Sequence, residues 1–434
     1  MPAIVTYRAP QVNACPSGKV RIEPNLRTAM LRAMRVPLLD LSEQYRALAA
    51  PLRAEVEEIF ASQQFILGPK VEAFEQAICR YCHAPHAIGV SSGTDALLAI
   101  LMALEIGPGD AVITTAYTFF ATAGCVARVG ATPVFVDIDP VTYNISPAAI
   151  EHYLANQCRR REDGLLVNQK GEIIRALVPV HLFGLCCEME AILDIAHRYQ
   201  LIVIEDAAQA IGAEYPRQNG TSAQAGTMGS AGYFSFYPSK NLGAAGDAGL
   251  IVCQDASLAT KLRTCRQHGM EARYFHHFVG GNFRLDEIQA AILNVKLPFL
   301  NGWSAARRSV ADIYRAEFGG RGLTTVITLP AEPYRNRSLT NNHIYHQFVI
   351  RTPQRDALRA YLTRKEIGSA IYYPLGLHEQ ECFAHLGYQA GDLPETERAT
   401  RETLALPIYP ELTPAAQKFV VEAVEEFFQI AEAN

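Results

Sequence analysis

The sequence has no run of apolar residues near the roughly 20 needed to cross a bilayer. The nearest, Leu97–Ile106, contains Glu105. Cysteine is too sparse for a disulfide scaffold, at ten in 434 residues. Cys79 and Cys82 form a lone C-x-x-C pair with His83 and His86 close by, but no second ligand pair at finger-like spacing follows. No metal site is therefore expected. Free thiols fit a reducing compartment, so the expected location is cytoplasmic. Neither sign of charge dominates, with 39 Lys+Arg against 44 Asp+Glu and a net charge of −5. That lacks the basic domain of a duplex binder, and neither a nucleic-acid nor a membrane partner is expected. Apolar residues make up 49% of the chain, too many for disorder, and there are no internal repeats.

The first 35 residues stand apart. Arg8, Lys19, Arg21, Arg27, Arg32 and Arg35 face one acid, Glu23, without an apolar core of signal-peptide length. A disordered extension is expected over 1–35. From Val36 to about Val295, short β-rich runs alternate with helical stretches, the pattern of a mostly parallel α/β sheet. Seven strands are expected: His86–Ser91, Asp110–Thr114, Thr132–Asp137, Ala176–His181, Leu201–Glu205, Gly232–Phe236 and Gly249–Cys253. Asp95–Glu105, Phe120–Val129 and Glu188–Tyr199 read as helices between them, and the charged stretch Cys158–Gly171 as a surface excursion. After the helix Asp286–Leu297 the texture changes. Strand-like His346–Ile350 and helical Arg355–Lys365 and Thr413–Ala431 predict a smaller α+β domain. The expected domains are thus 36–295 and 296–434.

Three segments carry chemistry. In Val90-Ser91-Ser92-Gly93-Thr94-Asp95 a strand ends, small residues turn the chain, and a strong helix begins. Unpaired amides at the positive end of a helix make a phosphate cradle, although Thr94 or Asp95 could equally serve only as an N-cap. In Leu201–Gln209 an apolar strand delivers Glu205 and Asp206 at its C-terminal edge, where open α/β sheets bind ligands. A carboxylate there is costly unless it meets a cation, such as a protonated pyridine nitrogen. In Gly232–Gly243 an aromatic strand runs into a loop presenting one lysine, Lys240. A partly desolvated lysine has a lowered pKa and can form a Schiff base.

A helix-start phosphate site, an Asp at a strand end and a Lys downstream are the parts of a pyridoxal phosphate (PLP) enzyme. The chain resembles the DegT/DnrJ/StrS family of PLP-dependent sugar aminotransferases from about Val36 to Leu412. The resemblance rests on Ser92-Gly93-Thr94-Asp95-Ala96, Tyr117-Thr118-Phe119, Pro179–Gly184, Glu205–Gln209, Phe234-Ser235-Phe236 through Lys240-Asn241, and Gly281–Asp286. It implies fold type I of the PLP-dependent transferases, with a mostly parallel seven-stranded sheet and helices on both faces. By resemblance, Lys240 would hold the cofactor and move the proton, and Asp206 would keep the pyridine nitrogen protonated. Phe119 would stack on the ring, and Gln209 would approach its 3-hydroxyl. Gly93, Thr94, the Asp95 backbone and Ser235 would hold the phosphate. Asn282 would reach the phosphate of the neighbouring subunit in a homodimer with shared active sites.

Arg284 has two readings, a substrate-acid contact or a structural pair with Asp286. His181 reads as a core histidine satisfied by backbone, and Asp40 and Tyr45 as packing. Tyr345, His346, Tyr373 and His378 fall where the family borders its sugar pocket, and are candidate substrate residues. The resemblance implies transfer from L-glutamate, through pyridoxamine phosphate, to a dTDP- or UDP-linked 3-keto sugar; C4 amination or a cyclitol ketone is the alternative. A sugar 3-dehydratase would carry His in place of Lys240. A non-catalytic regulator would need no Lys–Asp pair.

Overall fold

A computed structural model describes residues 34–432. Nearly all of the extension expected over 1–35 lies outside these residues. Val36–Asn434 form one compact unit.

Seven strands make the main path of the central sheet: β1 (His86–Val90), β2 (Asp110–Thr115), β3 (Thr132–Val136), β4 (Ile173–Val178), β5 (Ile202–Asp206), β6 (Ala231–Ser235) and β7 (Gly249–Cys253). Their spatial order is β1-β7-β6-β5-β4-β2-β3. All neighbours run parallel except β7, which lies antiparallel between β1 and β6. The mostly parallel seven-stranded sheet expected from the sequence is present, each strand within three residues of its expected bounds. Cys158–Gly171 is indeed an excursion, a hairpin of Cys158–Arg160 and Leu166–Asn168 appended to β4.

Strand residues alternate between two cores, as their period of two requires. Leu177, Val203, Phe234 and Leu250 enter one core, with Phe74 and Ile78 of the helix Pro69–Cys82. Val178, Ile204, Tyr233 and Ile251 enter the other, against Leu97 and Leu101 of the helix Gly93–Ala103. Helices therefore cover both faces, and the strands are mostly apolar, with polar residues toward their ends such as Asp110 of β2 and Glu205 and Asp206 of β5. The C-x-x-C pair belongs to the first of these helices, where Cys82 is buried and Cys79 half-buried. Further along, β8 (Phe348–Arg351) pairs antiparallel with β9 (Thr403–Leu406), among the helices Leu300–Gly320, Arg355–Arg364 and Pro414–Glu432. No helix among the described residues is long and apolar enough to cross a membrane.

Strands β1, β5 and β6 are mutually parallel, so their C-terminal ends meet at one edge of the sheet. Val90, Asp206 and Ser235 are their last residues. A crevice at that edge is the usual ligand position in such folds.

Candidate active site

The helix after β1 begins at Gly93 because Ser92 caps it. The Ser92 hydroxyl accepts the Asp95 amide at 3.0 Å. The sequence offered Thr94 or Asp95 as the cap, and the structure gives that role to Ser92, just ahead of both. The Asp95 amide is thereby engaged, and its carboxylate accepts the Ser91 hydroxyl at 2.6 Å. Asp95 thus closes the helix start, and the amides of Gly93 and Thr94, which have no intrahelical acceptor, remain the donors for an anion. Glycine is required here by crowding. A Cβ on Gly93 would lie 2.9 Å from the Ser235 Cβ, and one on Gly249 would lie 2.3 Å from the Ser92 backbone.

Beside this cradle opens a cleft of about 740 Å³. Gly93, Thr94, Phe119, Asp206, Gln209, Ser235, Lys240 and Tyr373 all border it. Lys240 follows β6 in a turn in which its amide donates to the Tyr237 carbonyl at 2.8 Å. Among the described residues no hydrogen bond holds its amine. Burial lowers that amine to about 8, against the opposing pull of the Asp206 carboxylate. Phe119 is 59% exposed at the mouth of the cleft, its ring 6.4 Å from that of Tyr373.

Asp206 is 5% exposed. It accepts the Thr122 hydroxyl at 2.8 Å and the Ala208 amide at 3.1 Å, and no cation among the described residues forms an ion pair with it. Its neighbour Glu205 faces the opposite side of the sheet, fully buried. Glu205 accepts the amides of Gly226, Met228 and Gly229 and the His181 Nε2, at 2.5–2.9 Å. The Cys187 amide donates to His181 Nδ1 at 3.0 Å, so the ring proton sits on Nε2 and points at Glu205. His181 is thus a core residue, held by one backbone amide and one carboxylate. Gln209 is spanned on both ends, its Oε1 accepting the Phe183 amide and its Nε2 donating to the Tyr373 hydroxyl at 3.1 Å.

Other expected residues lie elsewhere. Asn282 is exposed and Arg284 half-buried, and neither borders the cleft of its own chain. Backbone bridges tie them to Gln267 and Val90, and Arg284 makes no ion pair with Asp286 among the described residues. Tyr345 is fully buried, stacked on His343 at 3.9 Å, with its hydroxyl against Arg315. His378 is buried 3.6 Å from Glu397. Both side chains are buried away from the cleft, although their near neighbours His346 and Tyr373 border it. Of the downstream residues, Tyr373 and His346 do reach it, with Gln347 and Tyr372. His346 Nδ1 meets the Asn241 Oδ1 at 3.1 Å, and burial beside Lys240 and Arg307 holds the imidazole far below its ordinary range, hence neutral. The Asp40 carboxylate accepts the Ser42 amide at 2.8 Å, just ahead of the helix Ser42–Ser62, and Tyr45 is half exposed.

An unattached amine, a buried carboxylate without a cation, and helix-start donors beside a serine fit a phosphorylated pyridine aldehyde. The family comparison decides between chemistries: residues 47–425 match the model of the DegT/DnrJ/EryC1/StrS aminotransferase family. The chain belongs to that family. Among its relatives is a Geobacillus stearothermophilus protein named pleiotropic regulatory protein, 47% identical over 91% of this chain and 99% of its own length. The UDP-N-acetyl-3-dehydro-alpha-D-glucosamine 3-aminotransferase of Acidithiobacillus ferrooxidans is 41% identical over 88% of this chain and 95% of its own. NtdA from Bacillus subtilis, solved with bound cofactor PMP, superposes with a TM-score of 0.78 at 30% identity, covering 91% of this chain and 85% of that one. The protein is a PLP-dependent sugar aminotransferase of this family, with the fold that its neighbours share.

Reading the sequence missed several residues of this aminotransferase's cleft: Thr118, Thr122, Tyr233, Tyr237, Ser239, Asp247 and Gln347. Thr118 stood inside the Tyr117-Thr118-Phe119 motif, but Thr122 had no local signal. Asp247 and Gln347 had none, since their approach depends on how distant segments pack.

Proposed function

We propose that this aminotransferase moves an amino group from L-glutamate to the C3 ketone of a nucleotide-linked (dTDP- or UDP-) sugar, acting as a cytoplasmic homodimer in amino-sugar biosynthesis. One observation carries the reading: the cleft holds both the Lys240 amine and an Asp206 carboxylate that forms no ion pair among the described residues. Bound PLP supplies the electron sink and carries the amino group between the two half-reactions. Lys240, with its amine near 8, is in part neutral at physiological pH, so it attaches the cofactor and then moves the substrate proton. Asp206 keeps the ring nitrogen protonated. Gly93, Thr94 and Ser235 would hold the phosphate, Phe119 would stack on the ring, and Gln209 would approach its 3-hydroxyl.

The sugar preference is supported by the Acidithiobacillus relative and by a cleft roomy enough for a large polar ligand. Residues 36–295 would form the cofactor domain and 296–434 the smaller one, whose His346, Gln347 and Tyr372–Tyr373 border the sugar. Asn282, exposed on its own chain, would complete the phosphate site of the second subunit.

The visible spectrum tests the reading. A yellow protein that bleaches with L-glutamate and recovers its colour with a UDP- or dTDP-linked 3-keto sugar is the expected result. Recovery only with a 4-keto sugar or a cyclitol ketone would move the substrate. A second reading, a non-catalytic regulator, is favoured by the name of the Geobacillus relative. A protein that stays colourless with PLP would bring it forward.

A further inference from the structure

The Asp206 carboxylate is held by hydroxyls rather than by a cation. Thr122 Oγ1 lies 2.8 Å from Asp206 Oδ2 and 3.1 Å from Thr118 Oγ1. Thr118, Thr122 and Asp206 are at most 5% exposed, and all three border the cleft. The direction of this chain follows from valence. An ionised carboxylate can only accept, so the single Thr122 proton points at Asp206. Thr122 can then only accept from Thr118, and the order is Thr118→Thr122→Asp206. Hydrogen bonds in such a row polarise one another, which strengthens the last. The Tyr233 phenol, on the neighbouring strand in register with Asp206, lies against the same carboxylate. Burial and that charge hold it far above its usual range, so it remains a neutral hydroxyl.

The spacing comes from the backbone. Thr122 stands in the first turn of the helix Ala121–Arg128, and the non-helical segment leading into that turn brings the Thr118 hydroxyl within 3.1 Å of it. Ala208 approaches Oδ1 from the strand end itself. The carboxylate is fixed from two sides, and its remaining lone pairs face the cleft. Donors of this kind fix the position of a buried carboxylate and leave its charge unpaired, whereas a lysine or arginine would neutralise it.

We propose that Thr122, oriented by Thr118, is a positioning residue for Asp206: it aims the carboxylate into the cleft, where that acid would meet the ring nitrogen. The inference rests on the reading of Asp206 given above, and Thr122 itself acts only through that acid.

The test uses the holoenzyme and the variants Thr122→Val, Thr122→Ser, Thr118→Val and Asp206→Asn. Three readings are taken: the Kd of PLP by equilibrium dialysis, the pH titration of the visible band, and the single-turnover rate with L-glutamate. Thr122→Val keeps the volume and removes the donor. Its Kd for PLP should rise about 10-fold and its half-reaction should slow by a similar factor, the usual worth of one hydrogen bond to a charge. The titration of the band should shift as well, which a purely structural defect would not produce. Thr122→Ser should stay within about twofold of wild type, and Thr118→Val should fall between the two. Should Thr122→Val fail to fold, Thr118→Val carries the test, since it leaves the bond to Asp206 in place. A Thr122→Val enzyme with wild-type Kd, band and rate would overturn the proposal, as would Thr122→Ser as impaired as Thr122→Val. Asp206→Asn separates the two levels. If it is impaired while Thr122→Val is not, only the inference about Thr122 falls. If Asp206→Asn itself matches wild type, the reading of Asp206 falls first.

Discussion

Lys240 gains its reactivity from where its turn sits. An amine lowered to about 8 by burial is roughly half neutral near pH 8, and the neutral form is the nucleophile. Capture of PLP by the apoprotein should therefore accelerate as pH rises from 7 to 9 and level off above about 9. Stopped-flow recording of the visible band measures this; a rate still climbing beyond pH 10 would mean an unperturbed lysine. Lys240→Ala should lose covalent attachment, and its turnover should fall on the order of 10²–10⁴-fold. Asp206→Asn should keep the fold, shown by an unchanged far-UV spectrum, and lose on the order of 10²-fold in the half-reaction with glutamate. Both residues were legible in the sequence because each ends a strand or turn whose pattern is local. Thr122 was not, since its partner stands 84 residues away.

At the level of elements, the site is a junction of three strand ends and one helix start. Ser92 supplies the cap, and Ser92→Ala should cost about 1 kcal/mol in urea unfolding. The glycines matter more. Gly249 allows β7 to lie against the Ser92 backbone, where an added Cβ would come within 2.3 Å of it. Gly249→Ala should cost about 1–3 kcal/mol by overpacking and should also weaken PLP binding, because the cradle donors move with Ser92. A Gly249→Ala protein with unchanged stability and affinity would show that the junction yields easily. Helices and strands were readable within a few residues because apolar period and turn residues are local signals. Which residue caps the helix was not, since Ser92, Thr94 and Asp95 are all good caps and the packing at Ser235 and Gly249 chose among them.

For the whole molecule, the exposed Asn282 makes a specific demand of the proposed homodimer. If each site uses Lys240 from one chain and Asn282 from the other, mixing Lys240→Ala with Asn282→Ala chains should rebuild intact sites. In an equal mixture that exchanges freely, about one quarter of all sites are native, since half of the dimers are mixed and each holds one good site. Activity recovering to about that fraction on mixing supports the shared site; no recovery between exchanging chains would place Asn282 outside the chemistry.

The sequence by itself determined the alternation that builds the sheet, the family, and the place of Lys240 and Asp206 at the ends of neighbouring strands, because these depend on short patterns and on where strands end. Only the tertiary structure decided which downstream side chains meet the cofactor cleft. Tyr345 and His378 match the same segments as His346 and Tyr373, yet the first two are packed inward and the last two border the opening. The physical reason is that burial of a side chain is a property of everything packed around it. A segment's own sequence limits that outcome without choosing it. The hydroxyl row behind Asp206 belongs with these decisions, made when the start of the helix Ala121–Arg128 came within hydrogen-bonding reach of the end of β5.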